Sequence, residues 1–312
     1  MRLLPSLVLL AALTAAGATV SLCADPDPKT VRVSDAERSA FRSKVTYRPA
    51  EFEMELGPLI RAGEALLVET VAFPSPVTSV DPERNDTVRG KLFHVDGAEK
   101  AAVIVLGGWR RDPMTPALAT RIAEGRAYVL YLQLPFQDGR TPRGSSSGAL
   151  TFSADLEQNE KTFVQLAQDV GRARDWLVRE RKIDGKRIGL LGTSLGGFAA
   201  ASLYGMGDDF SCAAVLLAGS SIDAVVYNGN FLTSGIRDTL EERGIDRDTF
   251  RRRSVLLDPG TWADAKRKDG LYLLAAENDD VVPLDTVKQL AELFGGARLD
   301  VMDGVGHIAP AA

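Results

Sequence analysis

Histidine is almost missing from this sequence: two in 312 residues, His94 and His307. Any chemistry that needs an imidazole therefore has two candidates. No grouping of His, Cys and carboxylates stands at metal-ligand spacing, so no metal or cofactor is expected. Cysteine is equally scarce, at Cys23 and Cys212. Basic residues do not exceed acidic ones, with 37 Lys and Arg against 42 Asp and Glu and a net charge of -5. That balance argues against a nucleic-acid partner, which calls for a basic surface. The sequence has no G-x-x-x-x-G-K-[ST] phosphate loop. Beyond the first 25 residues no apolar run is long enough to span a bilayer, so no stable membrane span is expected.

The first 25 residues differ from the rest. M-R-L-L-P-S-L-V-L-L-A-A-L-T-A-A-G-A-T-V-S-L-C-A-D carries one arginine, an apolar run and then small residues. This is the pattern of a secretory signal peptide over 1–24, with cleavage after Ala24 or near Ala18. Export to the periplasm or beyond is the expectation. Cys23 raises the alternative of a lipid anchor, but Leu22 stands where that signal calls for a small residue. Removal of the leader leaves Cys212 alone, which excludes a disulfide within the mature chain. Cys212 lies in F-S-C-A-A-V-L-L-A and reads as a small core residue of a buried strand.

Residues 25–63 read as an N-terminal arm with one helix, and 64–312 as the main domain. A-L-L-V-E-T-V-A-F (65–73) and T-V-R-G-K-L-F-H-V (87–95) alternate, as a half-exposed antiparallel pair does. Continuous apolar runs follow at 101–106, 127–132, 187–191, 213–218 and 271–276, with a weaker segment at 297–302. Short runs without alternation suit strands buried on both faces of a parallel sheet. A long helical pattern at 155–182 repeats Phe163, Leu166, Val170, Ala173 and Leu177 at three- and four-residue steps. Alternation of strands and helices predicts an α/β fold: a doubly wound, mostly parallel sheet of eight strands with helices on both faces. The polar, helical stretch at about 222–268 is longer than a crossover requires and reads as a small helical cap. Its Arg251, Arg252 and Arg253 read as a solvated helix face.

The chemistry is concentrated in I-G-L-L-G-T-S-L-G-G-F-A-A (188–200). A buried strand ends in Gly-x-Ser-x-Gly and a small-residue helix follows. A tight strand-to-helix turn of this kind lifts the oxygen of Ser194 above the sheet edge. Gly192 and Gly196 leave room where strand and helix nearly touch. A serine hydroxyl is a weak nucleophile and needs a base. His94 falls in the early antiparallel pair and reads as a surface or strand-end residue. His307, in D-G-V-G-H-I-A-P after the last strand, is the candidate. An acid must orient it, and A-A-E-N-D-D-V-V-P (275–283) places Asp279 and Asp280 at the end of a strand.

The order Ser194, acid, His307 over residues 64–307 resembles the α/β-hydrolase superfamily, in its serine-esterase, dienelactone-hydrolase-like or prolyl-oligopeptidase-like branches. The resemblance implies Asp279 as the acid, through that family's Gly-x-x-Asp-x-x-Val-Pro turn with Ala276 in place of the glycine. Asp280 and Asp223 are the alternatives. It also implies an oxyanion hole from the main-chain N–H of Leu195 and that of Trp109, with Gly108 as the alternative to Trp109. The Trp109 ring would also wall the pocket. Q-L-P-F-Q-D-G-R-T-P (133–142) either lines the leaving-group side or is a plain loop. The family usually carries a long helix after the histidine, whereas five residues follow His307 here. Either the N-terminal arm covers that face or the histidine loop is held less well. The activity implied is that of an exported serine hydrolase acting on a small-molecule or oligomeric carboxylic ester through an acyl-enzyme. A peptidase or amidase of the same fold, and a non-catalytic binding protein on it, are the alternatives.

Overall fold

The computed structural model describes residues 31–110, 114–229 and 231–307. The leader, with Ala18, Cys23 and Ala24, lies outside them. Helix α1 (Asp35–Val45) is started by a capping box between Ser34 and Glu37. Two two-residue strands, β1 (Glu55–Leu56) and β2 (Ile60–Arg61), pair with the long β3 (Leu66–Pro74), which pairs in turn with β4 (Thr87–Val95). Then β5 (Ala102–Leu106), α2 (Met114–Glu124), β6 (Tyr128–Leu132), α3 (Leu156–Arg179), β7 (Ile188–Thr193), α4 (Leu195–Met206) and β8 (Cys212–Leu216) alternate. Helices α5 (Ile222–Asn228), α6 (Phe231–Glu242) and α7 (Arg247–Ser254) follow, with three 3-10 turns, before β9 (Leu271–Ala276), α8 (Leu284–Leu293) and β10 (Arg298–Met302).

The sheet order is β1-β3-β4-β6-β5-β7-β8-β9-β10, with β2 beside β3. Strands β5 to β10 run parallel, and β3 and β4 join antiparallel at one side. The eight longer strands are those the sequence predicts; β1 and β2 are too short to leave a periodic signal. One face buries Ile104, Leu106, Leu190, Ala213, Val215 and Leu273 under α3, α4 and α8. The other buries Val105, Val129 and Leu191 with Ala119 and Ala123 of α2.

Cys212 departs from expectation. It is exposed at the first position of β8. Strand side chains alternate between faces, and Ala213 and Val215 take the covered face while Cys212, Ala214 and Leu216 take the more open one. An apolar run does not distinguish one covered face from two. The arm also differs. Phe41 of α1 packs on Phe163 and Trp262, at ring centroids of 5.9 and 5.8 Å, so α1 lies over α3 rather than on the strands.

Helix α3 carries a polar row beside its apolar one: Asn159, Thr162, Gln165, Asp169 and Arg172 are all buried. Asp169 meets the Arg140 guanidinium at 2.9 Å, with both side chains essentially inaccessible (0 and 1 % exposed). Arg140 also donates to the carbonyls of Asn85 and Gln133, and Ser75 donates to Asp169. Loop 133–142 is thus stapled into the core by its arginine. Removing one member strands the other charge in a dry interior. Arg140→Ala is expected to lower the unfolding free energy by about 3–5 kcal/mol. The same change at the solvated pair Arg143–Glu83 is expected to cost about 1 kcal/mol or less. Urea denaturation of both variants checks the contrast.

Asp258 joins the start of α5 to the turn at Pro259–Trp262 by accepting the N–H groups of Ile222 and Gly260, both at 2.8 Å. Burial pushes its carboxyl up to about 6. An acid whose value is raised by folding binds its proton more tightly in the native state. Its contribution is complete below the unfolded value near 3.8 and is lost as pH rises through about 6. Asp258→Asn is expected to flatten that part of the stability profile, and thermal melts between pH 4 and 7 test it.

Candidate active site

The C-terminal ends of β5, β7, β9 and β10 converge on one edge of the sheet, where α/β folds place their ligand crevice. Ser194 joins β7 to α4 with φ 51° and ψ −119°. A non-glycine residue pays for such a conformation in strain, which persists where its surroundings enforce it. Here they do. The Ser194 N–H donates to the Leu216 carbonyl at 2.8 Å, and the Ser194 carbonyl accepts the first helical bond, from Phe198. A Cβ at Gly192 would collide with the Gly196 carbonyl, and one at Gly196 with the carbonyls of Leu106 and Gly107. The expected spacing of glycines around the serine follows from that crowding.

Ser194 Oγ lies 2.9 Å from His307 Nε2. His307 Nδ1 lies 2.8 Å from Asp279 Oδ2. Asp279 Oδ1 accepts the N–H groups of Val281 and Val282 at 2.9 and 2.7 Å, so the turn after β9 fixes the carboxylate's rotation. The side chains of His307 and Asp279 are 8 and 2 % exposed. Little water competes, and electrostatic contacts at such depth are correspondingly strong. The described part of the histidine loop is held by hydrogen bonds to the turn after β9. The Asn278 N–H donates to the Val305 carbonyl at 2.9 Å, and the Gly304 N–H donates to Glu277 Oε2 at 2.8 Å.

The first N–H groups of a helix have no partner within it. In α4, Gly196 gives its N–H to the Gly107 carbonyl at 3.1 Å, which pins the loop after β5 across the helix start. Leu195, one residue earlier, has its N–H beside Ser194 at the positive end of the helix dipole. Trp109 lies two residues beyond Gly107. Its indole N–H donates to the Gly148 carbonyl at 2.8 Å, its ring meets Phe152 edge-on, and the Arg110 guanidinium stands 4.4 Å from the ring centre. Trp109 and Phe152 line a cleft of about 470 Å³ against Leu232, Ile236 and Arg243.

The structure brings Ser194, Asp279 and His307 together and leaves the other acids elsewhere. Asp223 is buried and ion-paired with Arg247 and Arg251 at 2.7 and 2.9 Å. Burial pushes its carboxyl up, but the two guanidinium groups outweigh this and hold it below the usual range. Arg251 therefore belongs to a partly buried pair and not to the solvated face expected for it, while Arg252 and Arg253 are exposed. Asp280 is exposed on the turn. His94 is the penultimate residue of β4, stacked on Tyr128 with ring centroids 5.1 Å apart. The Arg140–Asp169 staple was not foreseen. The helical spacing of the polar row on α3 is the signal that could have revealed it.

A sequence model of the prolyl oligopeptidase family matches residues 141–307, more than half of the chain. A comparison with curated proteins finds no match. Among solved structures, acetyl xylan esterase 1 from Thermoanaerobacterium sp. JW/SL YS485 is similar at 14 % identity and TM-score 0.68, over 88 % of this chain and 90 % of that one. An acetyl xylan esterase from Paenibacillus sp. R4 is similar at 15 % identity and TM-score 0.65, over 88 % of each chain. The acylaminoacyl peptidase of Pyrococcus horikoshii is similar at 17 % identity and TM-score 0.57, over 78 % of this chain but 38 % of its own. These likenesses establish an α/β-hydrolase fold.

Proposed function

The chain belongs to the prolyl oligopeptidase family, a serine-hydrolase family, and from that premise we propose that it is an exported carboxylic-ester hydrolase working through an acyl-enzyme on Ser194. The observation that carries the reading is the continuous contact Ser194 Oγ–His307 Nε2–Nδ1–Asp279 Oδ2, at 2.9 and 2.8 Å. With its Nδ1–H donated to Asp279, the imidazole presents a lone pair at Nε2 to the serine hydroxyl. His307 takes the hydroxyl proton as Ser194 Oγ attacks the acyl carbon. The carbonyl oxygen becomes an oxyanion, received by the main-chain N–H groups of Leu195 and Trp109. His307 returns the proton to the departing alcohol. A water then repeats the sequence on the acyl-enzyme, releasing the acid and restoring Ser194.

An ester is favoured over an amide because an alkoxide leaves with less assistance than an amine. The two acetyl xylan esterases are matched over most of their own length, whereas the peptidase is matched over a minor part of its chain. The leader-like segment at 1–24 supports a periplasmic or extracellular location. The test is intact mass after fluorophosphonate treatment, followed by turnover of 4-nitrophenyl acetate beside a 4-nitroanilide peptide. One adduct and faster ester turnover are expected. No adduct on folded protein sinks the hydrolase reading, and faster anilide turnover replaces the esterase by a peptidase.

A further inference from the structure

We propose that the Trp109 side chain is a clasp that positions the second oxyanion donor, and that Gly148 is its receiving end. The inference rests on the serine-hydrolase reading above. The loop in question, Gly107-Gly108-Trp109, begins with two glycines. Glycine has the largest conformational freedom to lose, so such a loop does not hold an amide in place by itself. Stabilising an oxyanion demands the opposite: donors fixed before charge develops.

Two contacts supply the rigidity. On one side Gly107 accepts the Gly196 N–H of α4 at 3.1 Å. On the other, the Trp109 indole N–H reaches across to the Gly148 carbonyl at 2.8 Å. Gly148 is firmly placed. Its N–H donates to the Phe136 carbonyl at 2.9 Å, and the Phe136 N–H donates to Asn85 Oδ1 at 2.7 Å. Asn85 also gives its carbonyl to the buried Arg140, which is paired with Asp169. The clasp thus ends on the core staple of α3 rather than on a free loop. Gly148 adopts φ +81°, and a Cβ there would lie 3.0 Å from Trp109 Nε1. The glycine is therefore matched to the indole that it receives.

Wall and clasp make different demands. A ring that only walls the pocket acts on binding, and Phe serves nearly as well as Trp. A ring that holds the donor acts on the transition state, and the lost N–H appears in kcat. The experiment measures kcat and KM for 4-nitrophenyl acetate, and the fluorophosphonate labelling rate, in wild type, Trp109→Phe, Gly148→Ala and the double variant, with thermal melts as the folding control.

Each single variant is expected to lose tenfold or more in kcat and labelling rate with KM within about twofold. The double variant is expected to lose about as much as the worse single one, because Trp109→Phe deletes the donor of the same contact that a Cβ at residue 148 displaces. If Trp109→Phe fails to fold, Gly148→Ala carries the same kcat test. Unchanged kcat in folded variants of a reactive wild type overturns the clasp, and so do multiplicative losses in the double variant or a change confined to KM. A folded wild type that does not react with the probe overturns the hydrolase reading itself, and the clasp falls with it.

Discussion

Ser194→Ala is expected to lower kcat for an ester substrate by about a millionfold and to abolish the fluorophosphonate adduct, with the fold intact. Loss of a nucleophile that works jointly with its base removes nearly all of the covalent route, and the remainder comes from binding and the oxyanion donors. The structure adds a reason to expect clean folding. Among the described residues the Ser194 side chain bonds to His307, and the contacts that hold the strained turn come from its main chain and from neighbouring glycines. Alanine keeps those contacts and relieves none of the crowding at Gly192 and Gly196. His307→Ala is expected to match it in activity, since the two side chains act as a unit. Stopped-flow or long-time-course ester hydrolysis gives the rates, and intact mass gives the adduct. Activity retained within tenfold in Ser194→Ala would remove the serine from the mechanism.

Asp279→Asn is expected to cost about 10⁴ in kcat while leaving the melting temperature nearly unchanged. The size of the loss follows from the tautomer of His307, and the geometry dictates which one forms. Oδ1 of residue 279 accepts the Val281 and Val282 N–H groups. An asparagine must keep its carbonyl oxygen there, because an amide nitrogen would face two donors. Its NH₂ group then turns toward His307 Nδ1, 2.8 Å from Oδ2 in the parent. Nδ1 becomes the acceptor and the ring proton moves to Nε2, where it points at Ser194. An imidazole in that state has no lone pair to take the serine proton. Steady-state kinetics beside thermal melts check the prediction, and a loss below about tenfold would show that Asp279 is not what sets the tautomer.

Much of this is legible in the chain itself. Short continuous apolar runs with helical patterns between them dictate a parallel sheet, since such strands are stable only when covered. The crowding around Ser194 admits glycine and little else, so the elbow left a local signature. Two histidines in the whole chain narrowed the base to His307. A short run after a strand, E-N-D-D-V-V-P, offers Asp279 and Asp280 as neighbouring acids, with Asp223 after the preceding strand as a third candidate. All of these are properties of adjacent residues, and local chemistry survives in sequence.

What the tertiary structure decided were the long-range choices. Asp279 prevailed over Asp280 because it is the one whose carboxylate the turn rotates toward His307. Asp223 is claimed by Arg247 and Arg251, the second of which belongs to an arginine run that reads as solvated. Cys212 came to the surface because coverage of a strand face depends on which helices arrive there, not on the strand's own residues. The Arg140–Asp169 staple joins a loop to a helix 29 residues away, and the Trp109–Gly148 contact joins loops 39 residues apart. Partners at such separations are chosen by the topology of the sheet, which no single stretch of the chain encodes.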